Sequence, residues 1–220
     1  VTGVQTCALP ISRNKIQIKA PHYILITSNK GENYLENIGY ALQNVTLEMA
    51  CLGLGTTWLK CMLTRDEVEE FVNLDKIKDK DESEIEYPQA IIAFGYPQEG
   101  EALFRSSSAI HDRHRMKHIC KTYDEKWFNA LNALRVAPSI NNCQPWTLEQ
   151  RENGFDLFED EHKKRLELDK YSRISMGVAL RHFEIACKHD DIDIEYKKLD
   201  VKDKRRKLYF LSVVEKAKQV

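Results

Sequence analysis

From Asn33 to Leu52 apolar residues recur at three- and four-residue steps, at Leu35, Ile38, Leu42, Val45 and Met49, which predicts a helix with one buried face. The short β-rich run His22 to Thr27 precedes it, joined by the turn-forming set Ser28-Asn29-Lys30-Gly31, and Gly53-Leu54-Gly55 ends it. Thr64 and Glu67 have the spacing of a capping box for a short helix through Phe71 and Val72. After a highly charged loop from Lys76 to Glu86, Ala90 to Tyr96 is an apolar run of strand length stopped by Pro97. Arg105 to Lys117 reads as an irregular basic connection. Asp124 is placed to cap a helix that buries Trp127, Leu131, Leu134 and Val136 before Pro138 stops it. Trp146 to Gln150 and Phe155 to Phe158 predict a hairpin. Ile174 to Cys187 predicts a second amphipathic helix with Leu180, Phe183 and Cys187 on one stripe, followed by strands over Ile192 to Tyr196 and Leu208 to Val214. The fold class is α+β.

A shift of 138 positions lays Gly39 on Gly177, Ala41 on Ala179 and Leu42 on Leu180, with apolar residues matching at 45/183 and 47/185, the pattern of an internal duplication. Val1 to Ile11 has no helical or strand period and reads as translated sequencing-adapter sequence. Natural sequence is then expected to begin near Ser12, with the start of the protein missing.

The 220 residues are 42% hydrophobic and 30% charged, which is ordinary for a globular protein that buries a core. A formal charge of -1 provides no global field to draw in nucleic acid or an anionic membrane. No apolar run is long enough to cross a bilayer, and a cytoplasmic location is expected. The six cysteines include no C-x-x-C pair, so zinc ribbons and thioredoxin-like motifs have no support. Cys51 and Cys187 lie within helical apolar patterns and are expected to be small core residues. His182 is expected to be an ordinary helix histidine, and Lys202 to Lys207 a charged turn.

The densest chemistry is Ala137-Pro-Ser-Ile-Asn-Asn-Cys-Gln-Pro-Trp146, a helix end and polar turn bracketed by two prolines. On the residues alone it is either a helix C-cap or a rigid edge that meets the polar atoms of a flat heteroaromatic ring. This A-P-S-x-x-N-x-Q-P-W string resembles the flavin-edge motif of the nitroreductase family. A second block, Asn37-Ile-Gly-Tyr-Ala-Leu-Gln-Asn through Gly53-Leu-Gly-Thr-Thr-Trp, resembles the family's central helix and following loop. A third, Ala93-Phe-Gly-Tyr-Pro97 with Arg113, Arg115 and Lys117 after it, resembles the last sheet strand and the phosphate-holding basic residues.

The resemblance implies a nitroreductase-like fold, a central antiparallel or mixed sheet flanked by helices, in a single chain of two related halves: residues 12–118 and 119–220. It implies FMN as cofactor, held by Pro138, Ser139, Ile140 and Asn142, by Gly53, Gly55 and Thr56, and by Arg113 and Arg115, with Gln144 and Trp146 holding the turn against the next strand. The loop near residue 55 would come from one half and the turn near residue 140 from the other, in a monomeric pseudo-dimer. The activity implied is electron transfer from NAD(P)H to nitroaromatic, quinone or similar small electron-poor acceptors, with no catalytic side chain and no metal required. A non-catalytic module that binds or stores FMN is the alternative, and a cofactor-free interaction domain a third. Two departures stand out: no R-x-S-x-R-type arm precedes residue 16, and Lys60 stands where the family commonly has glycine.

Overall fold

A computed structural model describes residues 18–74, 81, 84–99, 103, 112–161 and 169–217. The expected adapter segment 1–11, most of the charged loop 76–86 and the start of the basic connection from residue 105 lie outside the described residues. The chain divides into two compact units, one of residues 1–34 and 44–105, the other of 35–43 and 106–220.

In the first unit β1 (His22–Ser28), β2 (Gly55–Lys60) and β3 (Tyr87–Gly95) form an antiparallel sheet in the order β1-β3-β2. Strand β3 is the apolar run expected at Ala90, and its buried residues lie between the two edge strands. The sequence pattern did not reveal β2, because the glycines before it read as loop. Its residues Thr56, Thr57 and Trp58 are nonetheless of strand-favouring types, and they register on Phe94, Ala93 and Ile92. Ile91, Leu63 and Val68 make a small core. The capping box of α2 (Arg65–Glu69) is formed as expected, but the regular helix ends at Glu69; Phe71 and Val72 only return their amides to Val68 O.

Helix α1 (Tyr34–Cys51) is most buried at Glu36, Ile38, Gly39, Gln43 and Thr46, so that of the apolar stripe expected to be buried Ile38 is buried, Leu35, Leu42 and Met49 are half-buried and Val45 is not. Val45 and Cys51 are therefore exposed, and the core placement of Cys51 is corrected. The reason is the partner of Leu35–Gln43. This stretch belongs to the second unit and crosses α5 (Asp169–His189) backbone to backbone, at a contact that only small or polar residues tolerate. A Cβ on Gly39 would lie 1.9 Å from the carbonyl oxygen of Ile174, and a Cβ on Gly177 1.9 Å from that of Glu36.

The rest of the second unit is a sheet in the order β4-β5-β7-β6, with β4 (Trp146–Arg151), β5 (Gly154–Asp160), β6 (Ile194–Lys197) and β7 (Lys207–Glu215), every pairing antiparallel. The expected hairpin is β4-β5, and the Lys202–Lys207 cluster forms the turn into β7. Helices α3 (Met116–Ile119) and α4 (Phe128–Val136) precede the sheet. Asp124 sits at the start of a short 3-10 turn, Glu125–Trp127, but its side chain makes no capping bond. The core is an aromatic triangle of Trp127, Phe155 and Phe183 with centroids 5.2–6.0 Å apart, joined by Leu131 and Leu134 of α4 and by Cys187, which is buried as expected. The fold is α+β, with the strands in two antiparallel sheets.

Candidate functional site

The turn that follows α4 is held in an uncommon backbone shape. Asn141, Asn142 and Gln144 all have positive φ, at 47°, 53° and 46°, in the left-handed region that costs a residue with a Cβ about 1–2 kcal/mol. Asparagine tolerates this conformation and glutamine does not favour it, so the surroundings must hold Gln144 there. They do so from three sides. The Ser139 hydroxyl accepts from Gln144 N at 2.9 Å, and Asn142 N donates to Ser139 O at 3.0 Å. From α5, the Ser175 hydroxyl accepts from Ile140 N at 3.1 Å while donating to Tyr171 O, one turn back in its own helix.

The third side is the segment Asp112–Arg115. The buried Gln144 amide accepts from His114 N at 2.7 Å and donates to Asp112 O at 3.1 Å. Asn142 donates to Asp112 O at 2.7 Å and accepts from an Arg113 guanidinium nitrogen. The remaining edge of that guanidinium faces Val136 O, the last carbonyl of α4. Arg113, Ser139, Ile140 and Asn142 are thus brought together with Gln144. Pro138 is exposed at the rim of the turn, and Arg115, also exposed, begins α3 without a side-chain cap. Gln144 ties the turn down, but to the segment Asp112–His114 and not, as had been expected, to the strand that follows. Trp146 does not share that task by hydrogen bonding: its indole N–H is buried and meets no partner among the described residues.

Gly53, Gly55 and Thr56 belong to the first unit. Gly53 (φ 80°) is the left-handed residue that ends α1, its N–H on Ala50 O at 3.0 Å and the next N–H, from Leu54, on Met49 O at 2.9 Å. That pair of bonds is a Schellman ending, so helix termination alone accounts for this glycine. Gly55 and Thr56 open β2 opposite Gly95 and Phe94.

Sequence reasoning missed Ser175, which reaches the turn from a distant helix, and the backbone groups of Asp112 and His114. The positive-φ pair Asn141-Asn142 carried the one local signal, asparagine being the residue that most readily enters that region. No group of histidine, cysteine and carboxylate side chains able to hold a metal occurs among the described residues. Burial pushes His182 down to about 4, its Nε2 standing 3.1 Å from Gln43 Nε2, and raises Cys187 to about 12. Both are therefore neutral near pH 7, His182 as an ordinary satisfied histidine. No described helix is long and apolar enough to cross a membrane.

Residues 7–187 match the model of a family described as "Putative TM nitroreductase", a match that begins inside the segment expected to be adapter-derived. The fold is similar to the crystal structure of a "putative nitroreductase" from Thermotoga maritima, with a TM-score of 0.58 over 89% of this chain and 70% of that one. At 16% identity that likeness is one of fold. No curated protein matches the sequence.

Proposed function

This chain belongs to the nitroreductase family that its residues 7–187 match, and from that premise we propose an FMN-dependent oxidoreductase that takes electrons from NAD(P)H and delivers them to nitroaromatic, quinone or similar electron-poor acceptors. The observation that carries this reading is the over-determined turn at 139–144, whose left-handed residues are maintained by bonds from three directions. Strain maintained in this way is characteristic of a preorganised binding edge.

The turn's chemistry fits a flavin ring edge. The exposed Asn141 amide has no bond among the described residues, while the exposed Pro138 and half-buried Ile140 of the same turn offer apolar surface. Bound FMN would supply the hydride acceptance and onward electron transfer that no side chain provides. The protein's part is to hold the ring by Pro138, Ser139, Ile140 and the turn fixed through Asn142, and to place a charge, Arg115, for the phosphate. Gly53, Gly55 and Thr56 are proposed cofactor-binding residues of the first half. The division into related halves is supported by the α1–α5 crossing: the 138-position shift that aligns Gly39 with Gly177 also exchanges Glu36 with Ile174, so each glycine meets the counterpart of the other's contact.

The test is purification of the protein and examination of what it binds. A yellow product that releases FMN on denaturation and oxidises NADH or NADPH in the presence of a quinone is the expected result. A yellow product without NAD(P)H oxidation favours the storage module, and a colourless, folded one overturns the flavin assignment.

A further inference from the structure

Arg113 was expected to contact the cofactor phosphate, but its guanidinium is turned elsewhere. One nitrogen, Nη1, donates to Asn142 Oδ1, while Nε and Nη2 both face Val136 O at 3.4 Å, so the bidentate edge that would fork onto a phosphate is already directed at a carbonyl. Val136 O lies in the last turn of α4, where carbonyls lack helical partners and a cation is favoured by the helix dipole. Asn142 Oδ1 also receives Gln144 Nε2 at 3.3 Å, so this asparagine, itself left-handed, is held by the residues that fix the turn. Arg113 thus spans from the end of α4, past Pro138, to the far side of the turn.

We infer that Arg113 is a positioning residue, which locks the turn at 139–144 into the shape that meets the flavin ring, and is not a phosphate ligand. The inference rests on the flavin reading above, but the brace itself exists in the protein without cofactor. Lysine cannot replace it, because one ammonium carries charge but not the planar fork that reaches both Val136 O and Asn142 Oδ1.

The 220-residue chain and its Arg113→Lys and Arg113→Gln variants are titrated with FMN and with riboflavin, which has the same ring and no phosphate, following flavin fluorescence. The cofactor-free proteins are compared by amide hydrogen exchange. Both variants should weaken FMN and riboflavin by the same factor, about tenfold from the loss of a charged hydrogen bond. The amides of Ile140, Asn142 and Gln144 should exchange faster in both, with α5 unchanged. Weakening of FMN alone, rescued by lysine, would make Arg113 a phosphate ligand and overturn the inference. Unchanged exchange at the turn, or faster exchange throughout α5, overturns it also, the latter because Arg113 would then support the unit as a whole. If the parent takes up neither flavin, the flavin reading fails at that point, and exchange still decides whether the brace exists.

Discussion

Gly39 sits against the backbone of Ile174 as Gly177 sits against the backbone of Glu36, one contact made twice from opposite sides of a helix crossing. A side chain at either position would strike a carbonyl, which cannot rotate away as a flexible side chain could. Gly39→Ala and Gly177→Ala are each expected to cost about 1–3 kcal/mol or more by forcing the helices apart. Because one separation relieves both clashes, the double variant should lose clearly less than the sum of the two. Urea denaturation of the four proteins measures this, and strict additivity would show that the two contacts yield independently.

Gly53 presents the opposite case, a glycine with open space around it and a backbone that needs one. Gly53→Ala should cost about 1 kcal/mol through conformation alone, and Gly53→Asn less, since asparagine enters the left-handed region more readily. Equal losses for the two would mean that something other than backbone conformation selects glycine.

Gln144→Met keeps the volume of the side chain and removes its amide. His114 N would lose its bond to the Gln144 amide and Asp112 O would keep only its bond from Asn142, at about 0.5–1.5 kcal/mol for each hydrogen bond removed. The loss should appear both as reduced stability and as faster exchange at residues 112–115. A variant as stable as its parent would indicate that water replaces the amide.

His182 is neutral in the folded protein down to about pH 4, whereas an unfolded histidine takes its proton near 6.5. Between these values the unfolded state binds the extra proton, so stability is present in full above pH 6.5 and falls as the pH drops toward 4, levelling below it. The fall attributable to this residue is about 2–3 kcal/mol. His182→Gln should remove that part of the acid-side loss, seen as a smaller difference in melting temperature between pH 7 and pH 4. Parallel curves for parent and variant would show that His182 is not the group responsible.

Legibility followed the reach of each interaction along the chain. The hairpin of β4 and β5, the Thr64 capping box and the buried stripe of α5 are set by residues a few positions apart, and each is present where the pattern placed it. Helix α1 was legible as a helix but only in part in its facing, Ile38 being buried and Val45 exposed. Its apolar stripe competes with a close crossing that selects Glu36, Gly39 and Gln43, and periodicity in hydrophobicity does not register a glycine contact. Strand β2 was hidden by the glycines that introduce it. At the turn, Asn142 and Gln144 could be singled out from their motif, but Ser175 could not, because its role depends on tertiary proximity to Ile140. Arg113 was legible as a basic residue near the site, and the direction of its guanidinium was not.

The polar side chains around the α1–α5 crossing set an alignment between the two helices. Glu36 pairs with Arg173 near the start of α5, and farther along it Tyr40 donates to Glu184 beside Arg181 while Gln43 meets His182. A slip of one helical turn, about 5.4 Å, would leave a buried carboxylate without its cation and would take each glycine off the carbonyl it accommodates. Aliphatic surfaces alone can interlock at several offsets of similar energy, whereas this ladder has one offset at which every rung closes. Replacing the rungs with leucine and alanine would therefore be expected to preserve the attraction between the helices while erasing the mark that tells them where to stop.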